Sequence, residues 1–175
     1  MPSTFIQDMI SVSDFTLYSI KQIAHGGKEY TFFDTTEQQV GKSFSNLTIP
    51  NQLSKNWIRF SVYGIAIKIF KVLNLDELYD FYLNSYYSFK VADHELKFGH
   101  LSEFLHTNVI ITYHYGGTYL NGMGDGAYNG LITGLEIVIP SGVSFVFTIK
   151  YEGSSLDDAL VGVFLKGKLE RLITG

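Results

Sequence analysis

Strict two-residue alternation of apolar side chains is the feature of this sequence that most restricts its fold, because only a strand turns successive side chains to opposite faces. In Val143–Tyr151, the residues Val143, Phe145, Phe147, Ile149 and Tyr151 share one face, and Ser144, Thr148 and Lys150 take the other. Leu160–Ile173 repeats the pattern through Val161, Val163, Leu165, Leu169 and Ile173, with Gly162 and Gly167 inside it. Segment 56–70 shows it twice. Ile58, Phe60 and Val62 are in phase, and after Gly64 the apolar set moves to Ile65, Ile67 and Ile69. A one-residue phase change at a glycine is what a β-bulge or a strand bend produces. It predicts one long strand serving two sheets, as at the corner of a sandwich.

Two hairpins are expected. One joins Leu135–Ile139 to Val143–Tyr151 through Pro140, Ser141 and Gly142, residues suited to a turn. The other joins Tyr87–Val91 to Leu96–Phe98 across Ala92, Asp93, His94 and Glu95. A helix interrupts the strands over about 74–85, with Asn74 as N-cap, Glu77 completing a capping-box pair, and Leu75, Leu78, Tyr79 and Tyr82 as its apolar stripe. A short helix is expected at Ser102–Thr107, and residues 4–24 read as a strand preceded by an extended arm. The sum is an all-β antiparallel sandwich or barrel, one domain over 1–175 with an N-terminal arm at 1–14.

Composition then narrows what such a fold can do. Charged residues make up 17% of the chain, against roughly 25% in an average soluble protein, while Phe, Tyr and Trp supply 15%. A chain so rich in rings is not disordered. The net charge is −4 and no Lys/Arg cluster exceeds two residues, so sequence-specific nucleic-acid binding is not expected. Tyr63–Phe70, the longest near-apolar stretch, is broken by Lys68 and falls far short of the ~20 residues of a membrane helix. The opening MPSTFIQDMISVSD has neither a basic region nor a long apolar core, and no secretory signal is expected. With no Cys, disulfides, thiolate metal sites and thiol nucleophiles are out of reach.

Motifs of chemistry are weak. Gly122-Met-Gly124-Asp-Gly126-Ala127 approximates a dinucleotide fingerprint, but a strand follows where the fingerprint needs a helix to receive a pyrophosphate. The surrounding Gly116–Gly130 reads as a long surface excursion between strands. His100, Glu103 and His106 have donor chemistry, yet on a helix His100 and His106 diverge, unlike the i, i+4 pair of a zinc helix. His106 and His114 stand on one side of a strand without the close His-x-His pair of cupin-type barrels. No G-x-S-x-G is present, Asp157-Asp158 reads as a solvated turn, and Asn46-Leu47-Thr48 is a chance match to a glycosylation sequon. No metal, cofactor or enzymatic activity is expected.

Two segments carry a family resemblance. Ile49-Pro50-Asn51-Gln52-Leu53 followed by Trp57-Ile58-Arg59-Phe60 resembles the opening half of jelly-roll capsid proteins. LEIVIPSGVSFVFTIKYEG, followed by LVGVFLKGKLERLI, resembles the closing strands of major capsid proteins from tailless icosahedral bacterial viruses, including those with an internal membrane. Their final strand is matched by Val163, Leu165, Gly167 and Arg171. The resemblance covers about residues 45–175. It implies an all-β jelly roll with one short inserted helix, and a virion shell protein made in the host cytoplasm. Its partners would be copies of itself in trimeric, pentameric or hexameric capsomers, other capsid proteins, and the lipid of an internal membrane where the virion has one. Such a subunit buries rings against neighbours and sheds charge from its interfaces, and Tyr63, Phe70, Tyr119, Met123 and Tyr128 are the candidate contacts. The rival reading is a β-sandwich carbohydrate- or receptor-binding module, lectin-like or of the spike type, whose tyrosines would stack on sugar rings.

Overall fold

The alternating runs all form strands. The structure, a computed structural model, describes residues 9–24, 28–70, 75–105, 112–114, 117–119, 130–154 and 159–173. Its strands are β1 (Met9–Ile23), β2 (Lys28–Phe32), β3 (Trp57–Ile69), β4 (Ser85–Val91), β5 (His94–His100), β6 (Thr112–His114), β7 (Gly117–Tyr119), β8 (Gly130–Pro140), β9 (Phe145–Tyr151) and β10 (Ala159–Ile173). Among the described residues they form two four-stranded antiparallel sheets, in the orders β1-β10-β3-β8 and β2-β9-β4-β5, and a small β6-β7 ribbon. Leu17, Phe60, Ile65, Val163 and Leu165 from the first sheet and Phe32, Phe89, Phe147 and Ile149 from the second belong to one buried cluster. The chain is an all-β, two-sheet antiparallel protein.

The phase change in β3 is a bulge. Val62 pairs with Gly167 and Gly64 with Lys166, so Tyr63 is the extra residue opposite β10. The pairing with β8 is interrupted at the same place, between Val62 and Gly64. Both apolar phases therefore face the same core: Phe60 and Val62 are buried, and so are Ile65, Ile67 and Ile69. The expected corner is thus corrected. β3 stays in one sheet along its whole length, because the inserted residue alone restores the inward face.

The expected hairpin of Leu135–Ile139 with Val143–Tyr151 is corrected too. β8 pairs with β3, and β9 lies between β2 and β4 in the opposite sheet. The connection steps across the sandwich. Gly142 takes φ +73°, the Ser141 amide donates to the Ile58 carbonyl, and the Phe145 amide donates to the Asn51 carbonyl. A short Pro-Gly connection can fold back or cross over, and the strands beyond it decide which. Ile137 and Ile139 of β8 and Phe145 and Phe147 of β9 are all buried, which requires two facing sheets.

The second hairpin, β4–β5, forms as expected, turning at Ala92 and Asp93. Ala92 has φ +53°, and its amide donates to the Ser144 carbonyl at 2.7 Å. The helix expected at 74–85 is α2 (Leu75–Leu83). Its buried stripe is Leu78, Phe81 and Tyr82, while Tyr79 is exposed. The stripe is turned relative to the expected one because Phe81 packs edge-on against Tyr82 and at a tilt against Tyr151. The short helix expected at Ser102–Thr107 is a 3-10 helix over Leu101–Leu105. A four-residue helix, α1 (Glu37–Val40), was not expected, although Thr36 and Gln39 have the capping-box spacing. The Gln39 side chain accepts the Thr36 amide at 2.9 Å. Residues 9–14 of the expected arm are paired with 168–173, and residues 1–8 lie outside the described set. Gly117–Tyr119, expected within an irregular excursion, pairs with Thr112–His114.

Phe147 is the hub of the aromatic core. It stacks on Tyr87 at 5.6 Å with the planes within 6° and meets Phe32 and Phe89 at 6.4 and 6.1 Å. Truncation there leaves a cavity that β2, β4 and β9 cannot collapse to fill. Phe147→Ala is expected to lower unfolding free energy by about 3–5 kcal/mol in urea denaturation. The exposed Phe98→Ala is expected to stay within about 0.5 kcal/mol of the parent.

Candidate interaction surface

The outer face of the β1-β10-β3 strip is built from three cross-strand rows. Ile20, Gly162 and Lys68 form one, Tyr18, Phe164 and Ala66 the next, and Thr16, Lys166 and Gly64 the third. Small residues beside large ones leave hollows. The Phe70 and Tyr18 rings flank Phe164 at 6.3 and 6.1 Å. A Cβ on Gly162 would come within 2.7 Å of Phe164 and 2.9 Å of Phe70, so only glycine lets both rings lie over β10. The turn after α1 forms the far wall. The Phe44 carbonyl accepts the Ile20 amide at 2.8 Å, and the Tyr18 hydroxyl donates to the Lys42 carbonyl. The result is two adjoining hollows of about 760 and 380 Å³ that share Ile20 and Phe70.

The rim of this groove is cationic. Lys21, held by Asp34 at 2.6 Å, lines it together with three further lysines, Lys42, Lys68 and Lys166, and among the described lining residues none is Asp or Glu. Lys68 Nζ stands 5.4 Å from the centre of the Phe70 ring, within cation–π range. None of the three lysines has an ion-pair partner among the described residues. On a chain of net charge −4, this face reverses the overall sign.

The same loop closes the edge of β1. Asn46 Oδ1 accepts the Tyr18 amide at 3.0 Å, and Asn46 Nδ2 donates to the Thr16 carbonyl at 2.8 Å. One side-chain amide thus does what a neighbouring strand would do, which protects an edge from pairing with other chains. Asn46, read in the sequence as a chance sequon, is a structural tie.

A second apolar surface lies on β5, the outermost strand of its sheet. Phe98 is 69% exposed, and Leu96 and Tyr86 are about half exposed. Phe98 stands opposite Ser88 and His100 opposite Tyr86 on the outer face, and Leu96 occupies a bulge between Lys97 and Glu95. The turn preceding this patch carries Asp93 and the start of β5 carries Glu95, both exposed, with Glu95 accepting a hydrogen bond from Ser88 Oγ at 2.5 Å.

Of the donors singled out for a metal, Glu103 and His100 have hydrogen-bond partners of their own. Glu103 Oε2 accepts from the Tyr87 hydroxyl at 3.1 Å and from Lys97 Nζ at 3.3 Å, while His100 Nδ1 pairs with Ser102 Oγ at 2.7 Å. His106 lies outside the described residues, and among those described no group of three or more His, Asp or Glu is placed to hold a metal ion. Nor does any described helix have the length and apolarity to cross a membrane. Burial first, and then the hydrogen bond and charge of Glu103, push the Tyr87 phenol well above its ordinary value of 10.0.

Of the candidate contacts, Phe70 sits in the groove and is 44% exposed. Tyr63 is 42% exposed at the β3 bulge, seven residues and roughly 23 Å of strand away. Tyr119 is in β7, paired with Thr112, and Met123 and Tyr128 lie outside the described residues. Tyr18, Ile20 and Phe164, and Leu96 and Phe98 at the far edge, were missed. Their signal is an apolar residue in the wrong phase: Phe164 alternates against Val161, Val163 and Leu165.

Two outcomes check this geometry. Asn46→Ala is expected to cost about 1–2 kcal/mol by leaving an edge amide and carbonyl unpaired, with faster hydrogen exchange at the Tyr18 amide. Tyr87, its phenol raised in the fold, contributes stability present below about pH 10 and lost as pH rises above it. Tyr87→Phe is therefore expected to flatten the alkaline arm of a pH–stability curve.

Compared with protein-family models, curated proteins and solved structures, the chain matches none.

Proposed function

We propose that this chain is a jelly-roll shell subunit that self-assembles into capsomers of an icosahedral virion. The strand order carries this reading. With the short β6-β7 ribbon set aside, the eight long strands in chain order stand 1-8-3-6 in one sheet and 2-7-4-5 in the other. The first pairs with the eighth, the second with the seventh, the third with the sixth and the fourth with the fifth. A long antiparallel hairpin wound into two facing sheets would pair its strands in this way, and that supports reading the chain as a jelly roll, the architecture of viral capsid and lectin domains. Exposed Ile10, Val12 and Leu172 at one edge and Leu96 and Phe98 at the other supply apolar surface of the kind that subunit contacts cover. The subunit would be made in a host cytoplasm and end in the virion, with copies of itself and other shell proteins as partners.

A second reading has its own observation. The ring-lined groove of about 760 Å³ is of small-ligand size, which favours a β-sandwich carbohydrate- or receptor-binding module, lectin-like or of the spike type. Assembly state separates the two. Sedimentation velocity and electron microscopy of the purified chain are expected to show discrete multi-subunit particles or shells that persist at high salt. Monomer alone at high concentration, from low to high salt, would overturn the shell reading in favour of the module.

A further inference from the structure

The groove and the β4–β5 hairpin are complementary surfaces that one molecule cannot bring together. β1 packs beside β2, so the groove lies toward one lateral side of the sandwich, and β5 is the edge strand on the opposite side. The groove is apolar at its floor and cationic at its rim. The hairpin exposes Leu96 and Phe98 along β5 and carries two acids at its tip, Asp93 in the turn and Glu95 at the start of β5. Phe98 is the most exposed large apolar residue described, and the hollow between Ile20 and Phe70 offers a place for its ring. Lys90 stands opposite Glu95 in register, but the Glu95 carboxylate accepts from Ser88 Oγ, and neither Asp93 nor Glu95 is in an ion pair among the described residues.

Resting on the shell reading, we propose that the β4–β5 hairpin of one copy docks in the outer groove of a second copy. Phe98 then enters the hollow, with Asp93 and Glu95 against Lys42, Lys68 and Lys166. Because the two patches differ and lie on opposite sides, the contact is heterologous. Repeated, it closes into a ring or extends a lattice and does not stop at a dimer. The positive rim opposite a negative turn would also set register and discourage groove-to-groove contact, since like charges would meet there.

Charge reversal on the full chain tests this. Lys68→Glu with Lys166→Glu, and separately Asp93→Lys with Glu95→Lys, are each expected to shift sedimentation to smaller species, with unchanged near-ultraviolet circular dichroism. The chain carrying all four substitutions is expected to reassemble, because opposite signs face each other again. Phe98→Ala, a substitution at an exposed position, is expected to weaken association by about tenfold or more. If the parent assembles while the reversals and Phe98→Ala leave it unchanged, or if the fourfold variant fails to reassemble, this contact is overturned and the shell reading stands. A parent chain that is monomeric throughout would overturn both.

Discussion

The extra residue at Tyr63 holds the sandwich to one core. A strand has a side-chain period of two, and a slip of one residue moves every apolar group to the wrong face. β3 is thirteen residues long and lies between β10 and β8. Without the bulge, either Phe60 and Val62 or Ile65, Ile67 and Ile69 would point to solvent. With it, all five reach the buried cluster, and the strand spans the sheet with both halves facing inward. Gly167, opposite Val62 on β10, fits the same site: a side chain there would run into the Ser61 carbonyl and the Phe60 ring. The cost of one unpaired position is repaid in aligned apolar area along the full strand.

With the inner faces aligned, the outer faces become the informative ones. A two-sheet protein of this size has only two inward faces to fill, and Phe147, Tyr87, Phe32 and Phe89 already crowd one region of that core. The remaining rings must go elsewhere, and they gather at particular places. Tyr18, Phe70 and Phe164 meet over Gly162, and Tyr86 and Phe98 share the other margin. Edge protection is uneven in the same way. Asn46 ties off the middle of β1, whereas among the described residues β5 has a bulge at Leu96 and no comparable side-chain tie. The open margin is therefore also the apolar one.

Much of this was legible in the residues. The strands at 143–151 and 160–173, the bulge near Gly64, the 87–98 hairpin and the helix near 75 all follow from local periodicity and turn chemistry. The groove was only partly legible. Phe70 stood out as a ring at the end of an alternating run, but Tyr18 and Lys166 are over a hundred residues apart in sequence, and only register places them in adjacent rows. The helix face was misread because Leu75, Leu78, Tyr79 and Tyr82 fit a stripe as well as Leu78, Phe81 and Tyr82 do. Which stripe wins depends on Tyr151, contributed by a distant strand.

The sequence by itself determined where most of the long strands run (β2 excepted), which side chains share a face, and that there are more rings than one core holds. Those are local matters, set by backbone sterics and a period of two. Beyond the local β4–β5 hairpin, tertiary structure decided which strands pair. Pro140-Ser141-Gly142 is compatible with folding back or crossing over, and it crosses because β8 and β9 each bury an apolar face that must meet the other's sheet. The same long-range pairing brings three unpaired lysines and four rings from β1, β3, β10 and the turn after α1 onto one surface. Side-chain rows across a sheet are a property of register, and register between strands far apart in the chain is written in no single segment.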